Sequence, residues 1–138
     1  MVMSKKKYIS IFLIVLLLIG LFAFLWNKTS YTLHLPQFEE LDGIVLVQES
    51  LKEELNQEAE MKDLLALLEE GRCTKKESVN DVPVNADEVI KIELSFKEGG
   101  ESIVYAYRNN HRFYLEQPYN GIYSIREDEY EDIKRFFD

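Results

Sequence analysis

Cysteine and histidine are scarce in this chain of 138 residues, which contains one cysteine, Cys73, and two histidines, His34 and His111. A lone cysteine excludes an intramolecular disulfide, so packing alone must hold the fold, and we expect Cys73 to be a small, half-buried thiol. These three residues cannot convincingly assemble a zinc site. The chain also lacks a nucleophile-elbow sequence for Ser-His-Asp catalysis. These scarcities argue against an enzyme, and we expect no cofactor and no bound metal.

Acidic residues are missing from the beginning of the chain, because all 25 lie beyond residue 28. Three of the sixteen basic residues, Lys5, Lys6 and Lys7, lie at the beginning of the chain, which leaves thirteen basic residues and a net charge of −12 from residue 8 onward. Such a balance excludes a nucleic-acid partner, which requires a basic face. It also disfavours a domain that lies flat on an anionic lipid leaflet. Solubility is the simplest explanation of the acidic excess, and a cationic partner is the alternative.

One long apolar run stands apart from the rest of the sequence. Residues 8–26 read YISIFLIVLLLIGLFAFLW and contain no charged side chain. As a helix this run would measure about 28 Å, close to the hydrocarbon thickness of a bilayer. Its many Leu, Ile, Val and Phe residues contribute roughly 4 to 8 kcal/mol to insertion. The run therefore predicts a transmembrane helix whose partner is the lipid bilayer.

A cleaved signal peptide is the alternative interpretation of this run. Its apolar region would normally span about 7 to 15 residues and end in small side chains. Here the run is longer, and it ends in FAFLW at residues 22–26, where bulky side chains surround Ala23 and a signal peptidase requires small ones. Three lysines precede the run, whereas only Lys28 directly follows it. The positive-inside rule therefore predicts an uncleaved anchor with a cytoplasmic N-terminus and the remaining chain outside.

These observations predict four regions in order along the chain. A basic cytoplasmic region covers residues 1–7, and the transmembrane anchor covers residues 8–26. A stalk follows over residues 27–43, where Pro36 prevents a continuous helix. Residues 44–138 then have the length of one small extracytoplasmic domain.

The spacing of apolar residues predicts a β-α-β(4)-α order for this domain. The predicted strands cover 44–47, 89–96, 102–108, 111–117 and 122–123, and the predicted helices cover 57–70 and 126–137. The first helix has an alternative start at Ser50, because Ser50-x-x-Glu53 fits a capping box. Residues 72–87 have no clear period and are expected to be irregular. Consecutive hairpins favour a mostly antiparallel sheet packed on two helices, a two-layer α+β fold.

Two stretches carry a resemblance to a known family. They read KKESVNDVP at residues 75–83 and YLEQPYNGIY at residues 114–123. The chain from about residue 36 onward resembles an uncharacterised family of Firmicutes proteins, domain of unknown function 5301. Its members are small membrane-anchored or lipoprotein-like proteins, so the resemblance implies an extracytoplasmic setting and no particular activity. No cysteine adjoins the apolar run here, so a lipid anchor is not expected.

The same two stretches supply one group of candidate binding residues. Ser78, Asn80 and Asp81 are residue types that shape loops by bonding to nearby backbone, and that structural role is the simplest explanation. The alternative is a polar pocket formed with residues of the second stretch, namely Glu116, Gln117 and Tyr119. Asp81, Asn85 and Asp87 also suggest calcium, but the glycine and terminal glutamate of an EF-hand loop are missing.

Strand alternation supplies a second group on the sheet face that the helices leave uncovered. That face is predicted to show Lys91, Glu93, Ser95, Arg112, Tyr114 and Glu116, while Tyr105 and Tyr107 share one face that the sequence does not identify. Cross-strand pairing in solvent is the simplest explanation. Exposed tyrosine and arginine are, however, typical of partner-binding patches. Reversing the charge at Arg112, or replacing Tyr114 by alanine, should therefore weaken partner capture without unfolding the domain.

The sequence thus favours a single-pass, membrane-tethered interaction module that recognises an unknown protein or peptide, in a setting such as envelope sensing or toxin immunity. The alternative is a domain that binds a small molecule or an ion with the 78–87 loop and the 116–121 turn. An enzyme is disfavoured, because no nucleophile–base pair can be assembled from the residues present.

Overall fold

The computed structural model describes residues 4–26 and 33–138. The chain separates into two compact units, one within residues 1–30 and one from residue 31 to the end. The first unit is a helix, α1 (Lys5–Trp26), which confirms the predicted helical run. Its span Lys5–Leu25 has a mean hydropathy of 2.9 and is long and apolar enough to cross a membrane. The predictions that concern Lys28 and the first part of the stalk lie outside the described residues.

The second unit contains seven strands and two further α-helices. In chain order they are β1 (Leu41–Gln48), β2 (Leu51–Leu55), α2 (Glu58–Glu69), β3 (Arg72–Glu77), β4 (Asp87–Phe96), β5 (Glu101–Asn109), β6 (Arg112–Gln117), β7 (Gly121–Ile125) and α3 (Glu127–Lys134). Short 3-10 turns at Phe38–Glu40 and Arg135–Phe137 flank this set. The helices and hairpins agree with the predicted α+β class.

One antiparallel sheet joins all seven strands in the order β2-β1-β4-β5-β6-β7-β3. Tight turns connect β4, β5, β6 and β7 as successive hairpins. The β4–β5 turn uses Gly99 and Gly100 at φ +100° and +84°, and the β5–β6 turn uses Asn110 at φ 59°. These are residue types that tolerate the left-handed region, so the sequence marks both turns.

The hydrophobic core lies between one face of this sheet and the two helices. Helix α2 contributes Met61, Leu64, Leu65 and Leu68, the apolar stripe expected from their spacing. Helix α3 contributes Tyr130 and Ile133. The sheet contributes alternate residues, among them Ile44, Leu46, Ile90, Ile92, Leu94, Val104, Ala106, Leu115 and Tyr123. The two-layer packing predicted from the sequence is present.

Both strands that the sequence did not reveal are the edges of the sheet. Strand β2 replaces the proposed early start of the first helix at Ser50, and β3 occupies the beginning of the stretch expected to be irregular. Their sequences, LKEEL and RCTKKE, are rich in charge and lack clean alternation. Edge strands are often charged because this discourages pairing with other chains. Cys73 lies exposed on β3, so the half-buried position expected for it was wrong.

The predicted stalk is partly folded against the domain. Leu33, Leu35 and Phe38 pack against the core, and β1 begins at Leu41 rather than at residue 44. From Leu33 onward, the segment expected to be an extended connection therefore belongs to the second unit.

Candidate ligand-binding surfaces

The connection between β3 and β4, residues 78–86, crosses the sheet and is called the crossing loop below. Strand β3 is an edge strand beside β7, whereas β4 pairs with β5, so the loop must pass β7, β6 and β5. The helices occupy one face of the sheet, and the loop contacts residues of the other face. Its first residue is anchored to the turn between β6 and β7, because the Ser78 amide donates to the Asn120 carbonyl at 3.3 Å.

Beneath the crossing loop the second face of the sheet is buried, which corrects the prediction that this whole face is exposed. Tyr105, Tyr107 and Glu116 are only 7%, 4% and 3% exposed. Their neighbours Val104 and Ala106 belong to the core on the helical side. The middle of β5 is therefore covered on both faces. Tyr105 and Tyr107 share the face opposite to the helices, which the alternation of residues in the sequence did not identify. Neither tyrosine can serve as an exposed contact for a partner.

Ser78, Tyr107 and Glu116 form a buried polar group under the loop. The Tyr107 hydroxyl donates to Glu116 Oε1 at 3.2 Å. Burial raises the pKa of the Glu116 carboxyl, while the nearby Ser78 and Tyr107 hydroxyls oppose that rise. Burial, together with the Glu116 carboxylate, also raises the pKa of Tyr107. Ser78 Oγ and Glu116 Oε2 are buried without a hydrogen-bond partner among the described residues.

The turn between β6 and β7 holds the outer part of the crossing loop. The Tyr119 hydroxyl donates to Asp81 Oδ1 at 2.5 Å, and this bond raises the pKa of Tyr119. Tyr119 has φ 60°, an uncommon left-handed conformation for an aromatic residue. A solvent-open cavity of about 520 Å³ lies beside this contact, and its lining includes Asp81, Tyr105, Gln117 and Asn120. The two sequence stretches singled out above thus meet, while Asn80 is exposed on the loop surface.

Asp81 and Asp87, two of the residues that suggested calcium, belong to no cluster of possible metal ligands among the described residues. Within residues 4–26 and 33–138, no three His, Cys, Asp or Glu side chains are grouped closely enough to hold a metal ion. Asp81, the one acidic residue of the crossing loop, accepts a hydrogen bond from the Tyr119 hydroxyl of the turn between β6 and β7.

Gln117 fastens the segment before β1 to the sheet. Its Oε1 accepts from the His34 amide at 2.8 Å, and its Nε2 donates to the His34 carbonyl at 2.8 Å. Asn120 Nδ2 donates to the same Oε1 at 2.7 Å, and Ser102 Oγ lies 3.4 Å from Nε2. Gln117 is only 7% exposed, so its amide acts as a structural bridge rather than as a free ligand group.

Arg112 and Tyr114 lie at the opposite end of β5 from the Gly99–Gly100 turn, in a different environment. Arg112 is exposed and Tyr114 is half-buried, with its ring centroid 5.7 Å from that of Tyr107. Both line two adjoining grooves of about 540 and 450 Å³, together with Lys76 and His111. These four residues, with the walls of both grooves, are called the basic groove below.

Sequence reasoning found two members of the basic groove and missed two. The sequence does not indicate Lys76, because β3 shows no clear period, whereas in the structure Lys76 pairs with Ile122 of β7 and is separated from β6 by that strand alone. His111 was assigned to a hairpin tip, which is correct, but its proximity to Lys76 depends on the placement of an edge strand. Recognising RCTKKE as a charged edge strand would have supplied the missing signal.

Comparison with known proteins agrees with this architecture. The sheet with its two helices defines a small α+β domain, preceded in this chain by an apolar helix. Residues 29–124 match the model of family DUF5301, described as "Domain of unknown function (DUF5300)", and the chain belongs to that family. An NMR structure of a protein from Ruminococcus gnavus is similar, with a TM-score of 0.61 and 30% identity over 70% of this chain and 97% of that one. No curated protein matches the chain.

Proposed function

We propose that this protein is a single-pass, membrane-tethered module that presents its acidic α+β domain outside the membrane and binds a protein or peptide there. Such a module suits envelope sensing or toxin immunity. The apolar helix α1 and the lysines at its beginning support the tether and its orientation. The net charge of −12 over residues 27–138 opposes adhesion to anionic lipid and disfavours nucleic acid as a partner.

The observation that carries the binding role is the basic groove. Arg112 is exposed and makes no ion pair among the described residues, and it adjoins the half-buried ring of Tyr114. Arginine and tyrosine are enriched where proteins bind partners, because each combines a large contact area with a directed polar group. Because Tyr105 and Tyr107 are buried, the proposed binding surface is smaller than the sequence predicts. It consists of the turn between β5 and β6 and the residues beside that turn.

Photocrosslinking from the groove tests the binding role. With a benzophenone amino acid at position 114 of the full chain in its native membrane, we expect a light-dependent adduct with one protein. Arg112→Glu in the same chain should strongly reduce the yield of that adduct. The substitution replaces the positive charge that contacts the partner by a negative charge.

The matched control places the crosslinker at position 97, in the β4–β5 turn at the other end of β5. No specific adduct is expected there. Equal adducts at both positions, or an adduct that Arg112→Glu leaves unchanged, would remove the groove from the proposal.

The side of the membrane is testable through Cys73, the sole cysteine, which is exposed on β3. In intact cells producing the full chain, a membrane-impermeant maleimide should label Cys73 as completely as it does after lysis. A chain carrying Cys73→Ser and Ser4→Cys is the control, and it should react only after lysis. Labelling of Cys73 only after lysis would place the domain inside. Loss of the N-terminal residues from the mature protein would show that the apolar run is a cleaved signal.

A second candidate function rests on the cavity at the crossing loop. Its lining brings Asp81 of the 78–87 loop next to the 116–121 turn, and a carboxylate in a solvent-open cavity suits a small polar molecule or an ion. Binding there would stabilise the folded domain in proportion to occupancy. A rise in melting temperature of the full chain with calcium or a small metabolite would favour this candidate, and unchanged melting would favour the protein-binding module.

A further inference from the structure

The basic groove contains cations whose charge the domain does not neutralise. Among the described residues, Lys76 and Arg112 take part in none of the ion pairs, whereas Arg72, Arg126 and Arg135 are all paired with carboxylates. Arg112 is the only arginine of the described residues without an ion pair, whereas unpaired lysines also occur outside the groove, at Lys75, Lys97 and Lys134. Of the residues that line the groove, Glu127 is the only carboxylate. The groove is therefore a local region of positive charge on an acidic protein.

The walls of the groove are partly apolar. Tyr114 is half-buried and lines both parts of the groove, and its ring lies on the sheet face opposite to the helices, 5.7 Å from that of Tyr107. Thr74 lines the same groove from β3. An apolar side chain placed here would leave water while a neighbouring anionic group meets Lys76 or Arg112. The surface thus offers two kinds of contact within one short stretch.

The size and shape of the groove indicate an extended ligand rather than a single small anion. Its two parts, of about 540 and 450 Å³, share Lys76, His111, Arg112 and Tyr114 and so adjoin one another. Each part alone exceeds the space that one carboxylate needs. Lys76 on β3 and Arg112 on β6 are separated by β7, so one anionic group cannot easily serve both cations.

We propose that the basic groove binds an acidic peptide segment of the partner, with carboxylates on Lys76 and Arg112 and an aliphatic or aromatic side chain against Tyr114. This inference rests on the proposed binding role and adds the chemistry of the ligand. A polyphosphate-type polymer could satisfy the cations, but it has no side chain for the apolar wall. Arginine can hold a carboxylate through two parallel hydrogen bonds, which fixes the peptide as well as attracting it.

Defined peptides test this assignment without knowledge of the natural partner. The full chain in nanodiscs of zwitterionic lipid is titrated against a fluorescein-labelled peptide in which glutamates alternate with leucines and phenylalanines. Binding is followed by fluorescence anisotropy. We expect Lys76→Glu and Arg112→Glu each to raise the dissociation constant about tenfold or more, since each replaces a charge attraction by a repulsion.

Three controls separate the specific contact from general charge effects. Lys97→Glu makes the same charge change at the other end of β5 and should leave the dissociation constant within about twofold. A peptide with glutamine in place of glutamate should bind at least about tenfold more weakly. Unlabelled polyphosphate should compete poorly. Circular dichroism of each variant should match that of the parent chain.

Each result decides the question. The assignment would be overturned if the glutamine peptide bound as tightly as the glutamate peptide. It would also be overturned if Lys97→Glu weakened binding as much as Lys76→Glu and Arg112→Glu do. Displacement by polyphosphate as effective as that by acidic peptide would overturn the peptide in favour of a phosphate polymer. Absence of acidic-peptide binding together with a specific crosslink at position 114 would leave the proposed protein-binding role standing and reject only its acidic chemistry.

Discussion

Replacing Tyr130 by alanine is expected to lower the free energy of unfolding of the domain by about 4 kcal/mol, the largest effect among the substitutions considered. Tyr130 is completely buried in α3, and its ring packs on Phe113 of β6 with centroids 4.9 Å apart. Its hydroxyl donates to the carbonyl of Glu88, where β4 begins. Burial raises the pKa of Tyr130 to about 12, so the hydroxyl remains a donor throughout the neutral range. Truncation removes the ring contact and the donor together.

Urea denaturation of the full chain in detergent micelles, followed by the near-ultraviolet circular dichroism of tyrosine, measures this loss. Tyr119→Ala is the matched control, because Tyr119 is 65% exposed, and it should cost less than about 1 kcal/mol. Tyr130→Phe keeps the ring and should cost about 1 kcal/mol for the lost hydrogen bond. If Tyr130→Ala were no worse than Tyr119→Ala, α3 could not be packed on the sheet as described.

The parts of the fold that the sequence predicts correctly are those where one face is apolar and the other polar. Met61, Leu64 and Leu68 mark the buried side of α2 because the helix period places them together. Ile90, Ile92 and Leu94 mark the core face of β4 by the same logic at a period of two. An element that is buried on one side has apolar residues at a regular spacing. Such elements can therefore be predicted from the sequence alone.

The parts that the sequence does not predict lack such a one-sided environment. Strands β2 and β3 are charged edges, so neither carries an alternating apolar pattern. At Tyr105 and Tyr107 the reverse holds, because core residues lie on one side and the crossing loop on the other. The sequence shows two tyrosines at a spacing of two, but they are covered by a segment that lies about twenty to thirty residues earlier in the chain. Long-range cover of this kind is a tertiary property that no local period records.

The candidate site follows the same division. Arg112 and Tyr114 could be predicted because β6 alternates clearly, and the structure keeps both accessible. Glu116 belongs to the same alternation, yet the crossing loop buries it. The groove itself depends on Lys76, which reaches its place only because β3 returns to pair with β7. Some residues of the site could therefore be predicted from the sequence. The full set of residues that line it could be known only from the order of the strands in the sheet.

Replacing Gln117 by leucine is expected to lower the free energy of unfolding by about 3 kcal/mol, because two backbone groups lose their partner at once. The side-chain amide of Gln117 both accepts from the His34 amide and donates to the His34 carbonyl, each at 2.8 Å. Leucine has a similar size but satisfies neither group, and it also removes the acceptor of Asn120 Nδ2. Urea denaturation of the full chain measures the loss, with Gln57→Leu at an exposed position as the matched control.

The location of the damage distinguishes this bridge from ordinary core packing. His34 lies in the segment that precedes β1, so loss of the bridge should raise amide hydrogen exchange first over residues 33–40, while the strands keep their protection. Gln117→Glu should fall between the parent chain and Gln117→Leu, because a carboxylate still accepts from the His34 amide but cannot donate to its carbonyl. Uniformly faster exchange across the whole sheet would instead mean that Gln117 supports the core. Selective exchange before β1 would identify its amide as the fastening between the domain and the segment that leads to α1.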